Sequence, residues 1–148
     1  MAVRIKTLNL VYIALFAVLI AICSWIAIPT VVPFTLQTFA VYLTVTLLGW
    51  KRGLAAICVY ILLGLVGVPV FSGFRAGMGV LSGPTGGYII GFIFLALIMG
   101  AIIDRFGNGK MILFIAMLLG TIVCYAFGTI WYLLVYAQTT EPVGWLTA

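Results

Sequence analysis

Residues 67–88 read GVPVFSGFRAGMGVLSGPTGGY, and they form the one long segment that is neither uniformly apolar nor a short charged turn. Glycine permits positive φ and close backbone approach, while proline fixes φ and removes a hydrogen-bond donor. The segment therefore predicts an irregular loop. Its single charged residue is Arg75, which makes the loop the main candidate for meeting a ligand.

The remainder of the chain predicts a membrane scaffold around this loop. Hydrophobic residues make up 66% of the sequence and charged residues 6%, against about a quarter charged in ordinary soluble domains. A hydrocarbon core about 30 Å thick needs roughly 20 apolar residues per helix. Five apolar stretches with short connections predict an all-α integral membrane protein, a compact bundle of transmembrane helices in a single domain over residues 1–148.

The predicted helices have boundaries set by proline, glycine and charged turns. Pro29 and Pro33 close the first helix, and Pro69 stops the third, because proline cannot continue a helix. The predicted spans are about Leu8–Ile28, Phe34–Trp50, Leu54–Val68, Gly87–Arg105 and Met111–Tyr136. The polar segment Gln138–Ala148 contains Glu141 and Pro142, a loop signal.

Orientation follows from the basic residues, which stay on the side from which they need not be translocated. Threading five spans alternately puts six of them on one side and leaves only Arg75 on the other. The six are Arg4, Lys6, Lys51, Arg52, Arg105 and Lys110. We therefore expect a multi-pass protein of the cytoplasmic membrane, in contact with lipid, with a cytoplasmic amino terminus and residues 67–88 outside.

Several chemistries lack the residues that they need. The chain has no histidine and only two acids, Asp104 and Glu141, so general acid–base catalysis has no paired groups and we expect no enzyme. No GxxxxGK[ST] loop is present, so any nucleotide hydrolysis belongs to a partner. The three cysteines occupy different apolar stretches without CxxC spacing, which predicts no metal, cofactor or disulfide. The positive-inside distribution already explains six of the seven basic residues, so we expect no nucleic acid partner.

Polar and aromatic residues on the predicted outer side offer a ligand site. Arg75 either anchors to lipid phosphate or offers its planar fork to an anion such as a carboxylate. Gln37 either caps its helix or presents an amide donor and acceptor to a cyclic urea or amide. Phe71, Tyr88 and Trp131 are either apolar pocket walls or core and interface residues.

Small residues recur at helical spacing in two places. Gly79, Gly83, Gly87 and Gly91 either allow tight helix packing or line a cavity with irregular backbone, and Pro84 interrupts the run. Ala17 and Ala21 on the first helix share one face. This alanine pair serves either intramolecular packing or a flat docking surface for a partner helix.

Three motifs in this order and spacing resemble the BioY family of biotin-uptake proteins: PFTLQT at residues 33–38, GVPVFSG at 67–73 and GPTGGY at 83–88. These proteins are the substrate-binding S components of energy-coupling factor (ECF) transporters. The resemblance implies a six-span helical protein that binds biotin near its outer face. It also implies a transmembrane T component and two ABC-type ATPase subunits as partners, with Ala17 and Ala21 at the positions that contact the T component.

Within this interpretation we expect the following substrate-binding set. Arg75 would pair with the valerate carboxylate of biotin, Gln37 and the backbone of residues 83–88 would surround the polar ring, and aromatic residues would cover the aliphatic tail. Some family members carry an arginine where this chain has Ile89, and we expect Arg75 to supply that charge. The full predicted set is Gln37, Phe71, Ser72, Gly73, Arg75, Gly83, Pro84, Thr85, Tyr88 and Trp131.

The family's sixth helix, with its Pro-x-Gly-Asp-x-x-Lys-like element, should begin close to Ala148. The resemblance therefore predicts a chain truncated before its last helix. Two other readings stay open at this point. The chain could be an S component for another small vitamin, or a structural subunit of a membrane complex that binds no ligand.

Overall fold

A computed structural model describes residues 2–28 and 34–139. Pro29, Pro33 and the predicted loop from residue 140 onward lie outside the described residues. The helices are α1 (Ala2–Trp25), α2 (Gln37–Leu48), α3 (Trp50–Val66), α4 (Met78–Leu81), α5 (Gly86–Phe106) and α6 (Lys110–Thr139). Two short strands, β1 (Ala27–Ile28) and β2 (Phe34–Thr35), pair antiparallel between α1 and α2.

The fold is that of an all-α integral membrane protein, as the composition predicted. Three helical segments of the described part of the chain are long and apolar enough to cross a membrane: Val3–Trp25, Gly86–Phe106 and Lys110–Gln138. The predicted boundaries of the second and third helices are corrected, because α2 spans Gln37–Leu48 instead of Phe34–Trp50 and α3 spans Trp50–Val66 instead of Leu54–Val68. Phe34 and Thr35 pair in β2 instead of extending α2, and Gly49, with φ of 82°, separates α2 from α3.

The helices pack as two connected groups. α5 and α6 lie against each other along much of their length, while α1 packs against α2 and α3. α3 and α2 also contact α5, which joins the groups. Apolar side chains from each group fill the shared core, among them Ile20, Val41, Ile57, Leu95 and Met99, each at most 1% exposed.

The turns collect at two opposite ends of the bundle. At the first, Trp50 Nε1 donates a hydrogen bond to Asp104 Oδ2 at 2.8 Å, which joins the α2–α3 turn to the end of α5. We call residues 50–52 and 104–110 the basic end. At the second, Trp25 Nε1 donates to the Pro69 carbonyl at 3.0 Å. We call residues 67–85, together with the last turn of α1, the loop end, and Arg75 lies there.

The glycine series packs helices together at two of its four positions. A Cβ on Gly87 would lie 2.3 Å from Trp131 Cβ, and one on Gly91 would lie 2.9 Å from Cys124 Sγ. Both contacts join α5 to α6, so tight packing is confirmed there. Gly79 has nothing within 4 Å of an added Cβ and lines a cavity, so at that position the second alternative, a place in a cavity wall, applies.

The alanine pair of α1 lies inside the bundle. Ala17 is 1% exposed and Ala21 is 5% exposed, and both belong to the core where α1 packs against α2 and α3. Their small side chains let neighbouring helices approach closely. The predicted docking surface for a partner helix is corrected accordingly, since this face already serves intramolecular packing.

Candidate functional site

A cavity of about 220 Å³ opens at the loop end, and we call it the inner cavity. Its wall is assembled from segments far apart in the chain: the start of α2, the loop after α3, α4, α5 and the middle of α6. The lining residues are Thr35, Gln37, Thr38, Ser72, Arg75, Val80, Thr85, Tyr88, Ile89, Phe92, Cys124 and Tyr125. Apolar side chains with a few convergent polar groups are typical of small-molecule sites.

A second, more open cavity of about 340 Å³ adjoins it, and we call it the outer cavity. Arg75, Val80 and Thr85 stand on the wall of both cavities. The predicted residues Gly83 and Pro84 line only the outer one. Arg75 therefore lies where the two cavities meet.

A tight backbone turn over residues 71–75 presents Arg75. The amide of Phe71 donates to the carbonyl of Arg75 at 3.1 Å, and Arg75 Nε donates to the carbonyl of Ser72 at 3.1 Å. Positive φ values of 73° at Gly73 and 57° at Phe74 close the turn, and glycine tolerates such a value without strain. The predicted residues Gly73 and Ser72 thus shape this turn, and Ser72 also lines the inner cavity.

The loop end has a positive electrostatic character. Asp104 is the only acid among residues 2–28 and 34–139, and it lies at the basic end against Trp50. Arg75 is solvent-exposed, and no carboxylate of the described residues forms an ion pair with it. Its guanidinium is consequently available to an anionic group of a ligand.

Gln37 provides the polar group at the opposite wall. It is the first residue of α2, is 4% exposed and lines the inner cavity. Its Nε2 is buried and has no hydrogen-bond partner within the described part of the chain. An unpaired buried donor costs about 1–3 kcal/mol, so this amide retains hydrogen-bonding capacity that a ligand or a rearranged neighbour would satisfy.

Thr85 and Tyr88, both predicted site residues, also line the inner cavity. The Tyr88 hydroxyl lies 3.3 Å from Thr129 Oγ1 on α6, and the Tyr88 ring meets the Tyr125 ring edge-on at 5.8 Å. These contacts connect α5 to α6 beside the cavity and define the aromatic part of its wall.

Two predicted aromatic residues lie behind the wall. Phe71 is fully buried, and its ring packs edge-on against Tyr60 at a centroid distance of 5.6 Å. Trp131 Nε1 donates to the carbonyl of Gly83 at 3.1 Å and so ties the loop to α6. Neither side chain is among those that line the inner cavity, so their contacts support the site from outside.

Sequence reasoning did not select seven of the lining residues: Thr35, Thr38, Val80, Ile89, Phe92, Cys124 and Tyr125. A local signal existed for several of them. Thr35 and Thr38 belong to the PFTLQT motif, and Phe92 follows Tyr88 by four residues on the same helix face. Cys124 and Tyr125 reach the cavity only through the α5–α6 contact, which no local pattern specifies.

Within the described ranges, no group of three His, Cys, Asp or Glu side chains could hold a metal ion. Cys23, Cys58 and Cys124 are free thiols. The residues that line the two cavities at the loop end offer hydrogen bonds, a positive charge and apolar contact.

Known proteins resemble this chain in sequence and in fold. It is 46% identical to the biotin transporter BioY of Thermotoga maritima over 66% of this chain and 58% of that protein. It is 39% identical to the biotin transporter BioY2 of Lactococcus lactis over 85% of this chain and 70% of the relative. The match to the biotin transporter BioY of Rhizobium etli has 35% identity over 97% and 80%. The chain thus spans less than two thirds of the Thermotoga protein's length.

A solved structure shares the fold. The S component for biotin from an ECF-type ABC transporter superposes with a TM-score of 0.81 at 29% identity, over 89% of this chain and 75% of that one. The sequence profile of the BioY family matches residues 1–147. The chain therefore belongs to the BioY family.

Proposed function

We propose that this chain is the biotin-binding S component of an ECF-type importer and that it captures biotin in the inner cavity. The observation that carries the proposal is one cavity that joins an exposed Arg75, facing no acid of the described residues, to a buried Gln37 with unused hydrogen-bonding capacity. Biotin carries a carboxylate at one end and a cyclic urea at the other. The names of the relatives, each a biotin transporter, support the same ligand.

In the proposed binding mode the two ends of biotin meet different walls. The carboxylate pairs with Arg75 where the two cavities join, because a guanidinium fork donates two parallel hydrogen bonds to a carboxylate. The urea ring lies at the deeper wall beside Gln37. Tyr88, Phe92 and Tyr125 cover the apolar parts of the ligand, and the loop backbone of residues 83–88 closes the outer side.

The proposed topology puts the basic end in the cytoplasm and the loop end outside. Lys51, Arg52, Arg105 and Lys110 cluster at the basic end, whereas Arg75 is at the other, which follows the positive-inside distribution. Exposed apolar side chains along α1 and α6 contact membrane lipid. Two ATPase subunits supply the energy by hydrolysing ATP and a T component couples them to this chain, a division that fits the lack of a GxxxxGK[ST] loop in residues 1–148.

A pair of exposed methionines tests this topology. Met78 at the loop end is 66% exposed and Met111 at the start of α6 is 72% exposed. The test uses a background in which Cys23, Cys58 and Cys124 are replaced by alanine, so that no native thiol reacts. In this background, a membrane-impermeant maleimide applied to intact cells should label Met78→Cys and leave Met111→Cys unlabelled until the membrane is permeabilised. The opposite labelling pattern would place the cavities on the cytoplasmic side.

Competition binding tests the ligand assignment. Labelled biotin should bind the purified chain saturably, and excess biotin or desthiobiotin should displace it, while thiamine and riboflavin should not. Pockets reject ligands that leave buried polar groups unpaired. Saturable binding of thiamine or riboflavin instead of biotin would assign another vitamin, and no saturable binding of any of them would favour a structural subunit.

A further inference from the structure

A buried polar cluster lies directly behind the Gln37 wall of the inner cavity. It comprises Ser24 on α1, Gln37 on α2 and Tyr60 on α3, which are 0%, 4% and 1% exposed. The Tyr60 hydroxyl lies beside the side chains of Ser24 and Gln37. Neither Gln37 Nε2 nor the Tyr60 hydroxyl has a hydrogen-bond partner among residues 2–28 and 34–139. Buried polar groups are rarely left unpaired in native structures, so the two unpaired groups of this cluster need a structural or functional explanation.

The polarity of the cluster follows from counting donors and acceptors. Ser24 Oγ lies 2.6 Å from the carbonyl of Val70 and 2.6 Å from that of Ala21. A carbonyl only accepts, so the single Ser24 hydroxyl proton is committed to these groups. Ser24 Oγ is left with acceptor capacity only. A hydrogen bond formed between it and the Tyr60 hydroxyl would therefore have Tyr60 as the donor, and the Tyr60 oxygen would remain an acceptor for Gln37.

Gln37 can supply the hydrogen-bond donor that the Tyr60 oxygen then accepts. Its amide has a donor end, Nε2, and an acceptor end, Oε1. With Nε2 toward Tyr60, the Ser24 proton, the Tyr60 proton and one of the two Nε2 protons each have an acceptor. With Oε1 toward Tyr60, two acceptors compete for the single tyrosine proton, and one buried group stays unsatisfied.

The Tyr60 ring is held so that it can impose this orientation. It packs edge-on against Phe71 at 5.6 Å with an interplanar angle of 82°. Phe71 in turn fills the space above Gly64, where an added Cβ would lie 2.1 Å from its ring. The loop end therefore holds the Tyr60 ring through Phe71, and it fixes Ser24 through the Val70 carbonyl.

We propose that Tyr60 is a positioning residue that holds the Gln37 amide with Nε2 toward the tyrosine hydroxyl and Oε1 toward the inner cavity. The inner wall then presents a hydrogen-bond acceptor, which selects ligands that bring an N–H group. Resting on the proposed function, this acceptor takes a ureido N–H of biotin. Tyr60 is not among the residues that line the inner cavity, so it acts through Gln37.

The first test needs no ligand. Gln37 and Gln138 are the two glutamines of the chain, so labelling glutamine side chains with ¹⁵N gives two amide groups, and the exposed Gln138 serves as an internal reference. Tyr60→Phe should shift the Gln37 side-chain amide resonances and speed their hydrogen exchange. Tyr42→Phe removes a hydroxyl that bonds Thr121 on α6 and should leave Gln37 unchanged. Unchanged Gln37 resonances in Tyr60→Phe would overturn the proposal.

The second test measures biotin affinity in a double-mutant cycle. Tyr60→Phe should weaken binding about tenfold, the scale of one hydrogen bond, and Tyr42→Phe should not. In a Gln37→Leu background, Tyr60→Phe should have no further effect, because its target is gone. An equal loss in both backgrounds would overturn the proposal. A wild-type chain that binds no biotin would refute the proposed function, while the resonance test would still decide the role of Tyr60.

Discussion

Arg75→Ala should weaken biotin binding by a defined amount that depends on the ligand carboxylate. A hydrogen bond to a charged group contributes about 1.5–3 kcal/mol. Arg75 is exposed at the junction of the two cavities, so water competes for its guanidinium and the lower end of that range applies. We expect a loss of about 1.5 kcal/mol, or roughly a tenfold increase in Kd.

The assay compares biotin with biotinamide, which keeps the ring and chain but lacks the negative charge. Wild-type protein should prefer biotin, and Arg75→Ala should bind both ligands with similar affinity. Arg75→Lys keeps the charge but loses the planar fork and the Nε bond to the Ser72 carbonyl. Its Kd for biotin should therefore lie between those of the wild type and Arg75→Ala. Arg52→Ala, at the basic end, is the matched control and should bind like the wild type.

Two results would refute the reasoning about Arg75. An equal loss of affinity for biotin and biotinamide would mean that the substitution disturbs the 71–75 turn and not a carboxylate contact. Unchanged biotin affinity in Arg75→Ala, measured in detergent on folded protein, would remove the carboxylate role altogether.

Three further substitutions, the first with a matched control, test the architecture around the site. Gly87→Ala should lower the free energy of unfolding by about 1–3 kcal/mol through overpacking, because its Cβ would lie 2.3 Å from Trp131 Cβ. The control is Gly79→Ala, whose Cβ would meet nothing within 4 Å. Thermal unfolding in detergent should be unchanged in this control. Trp131→Phe keeps an aromatic ring but loses the donor to the loop carbonyl, and should cost about 1 kcal/mol of stability; biotin affinity that also falls would show that this tie shapes the site. Trp50→Phe removes the donor to Asp104 and should also cost about 1 kcal/mol in thermal unfolding without changing biotin affinity, whereas an unaltered melting temperature would count against that contact.

Hydropathy predicted the helical class well because apolar length is a property of the sequence itself. It overstated α2, whose first predicted residues, Phe34 and Thr35, pair with Ala27 and Ile28. Pairing between two short strands depends on the tertiary structure that brings them together, and a short apolar run is compatible with either a strand or a helix. The predicted second helix also ran through Gly49, whose positive φ separates α2 from α3 and could not be read from the apolar run around it.

The residues in and behind the candidate site also fall into those that the sequence predicted and those that it did not. Arg75 and Gln37 stood out in the sequence because they are polar residues in apolar surroundings, and the fold brings both to one cavity. Ser24 and Tyr60 gave no signal, since a hydroxyl in an apolar stretch becomes informative only when its neighbours are known. Ala17 has a spacing that fits both packing and docking, and only its burial distinguishes them.

A structure of the purified chain determined with biotin bound tests the central claim most directly. The account predicts one biotin molecule in the inner cavity, with its carboxylate at Arg75 and a ureido nitrogen within hydrogen-bond distance of Gln37 Oε1. Biotin bound elsewhere on the bundle, or its reversed placement with the urea ring at Arg75, would contradict the account.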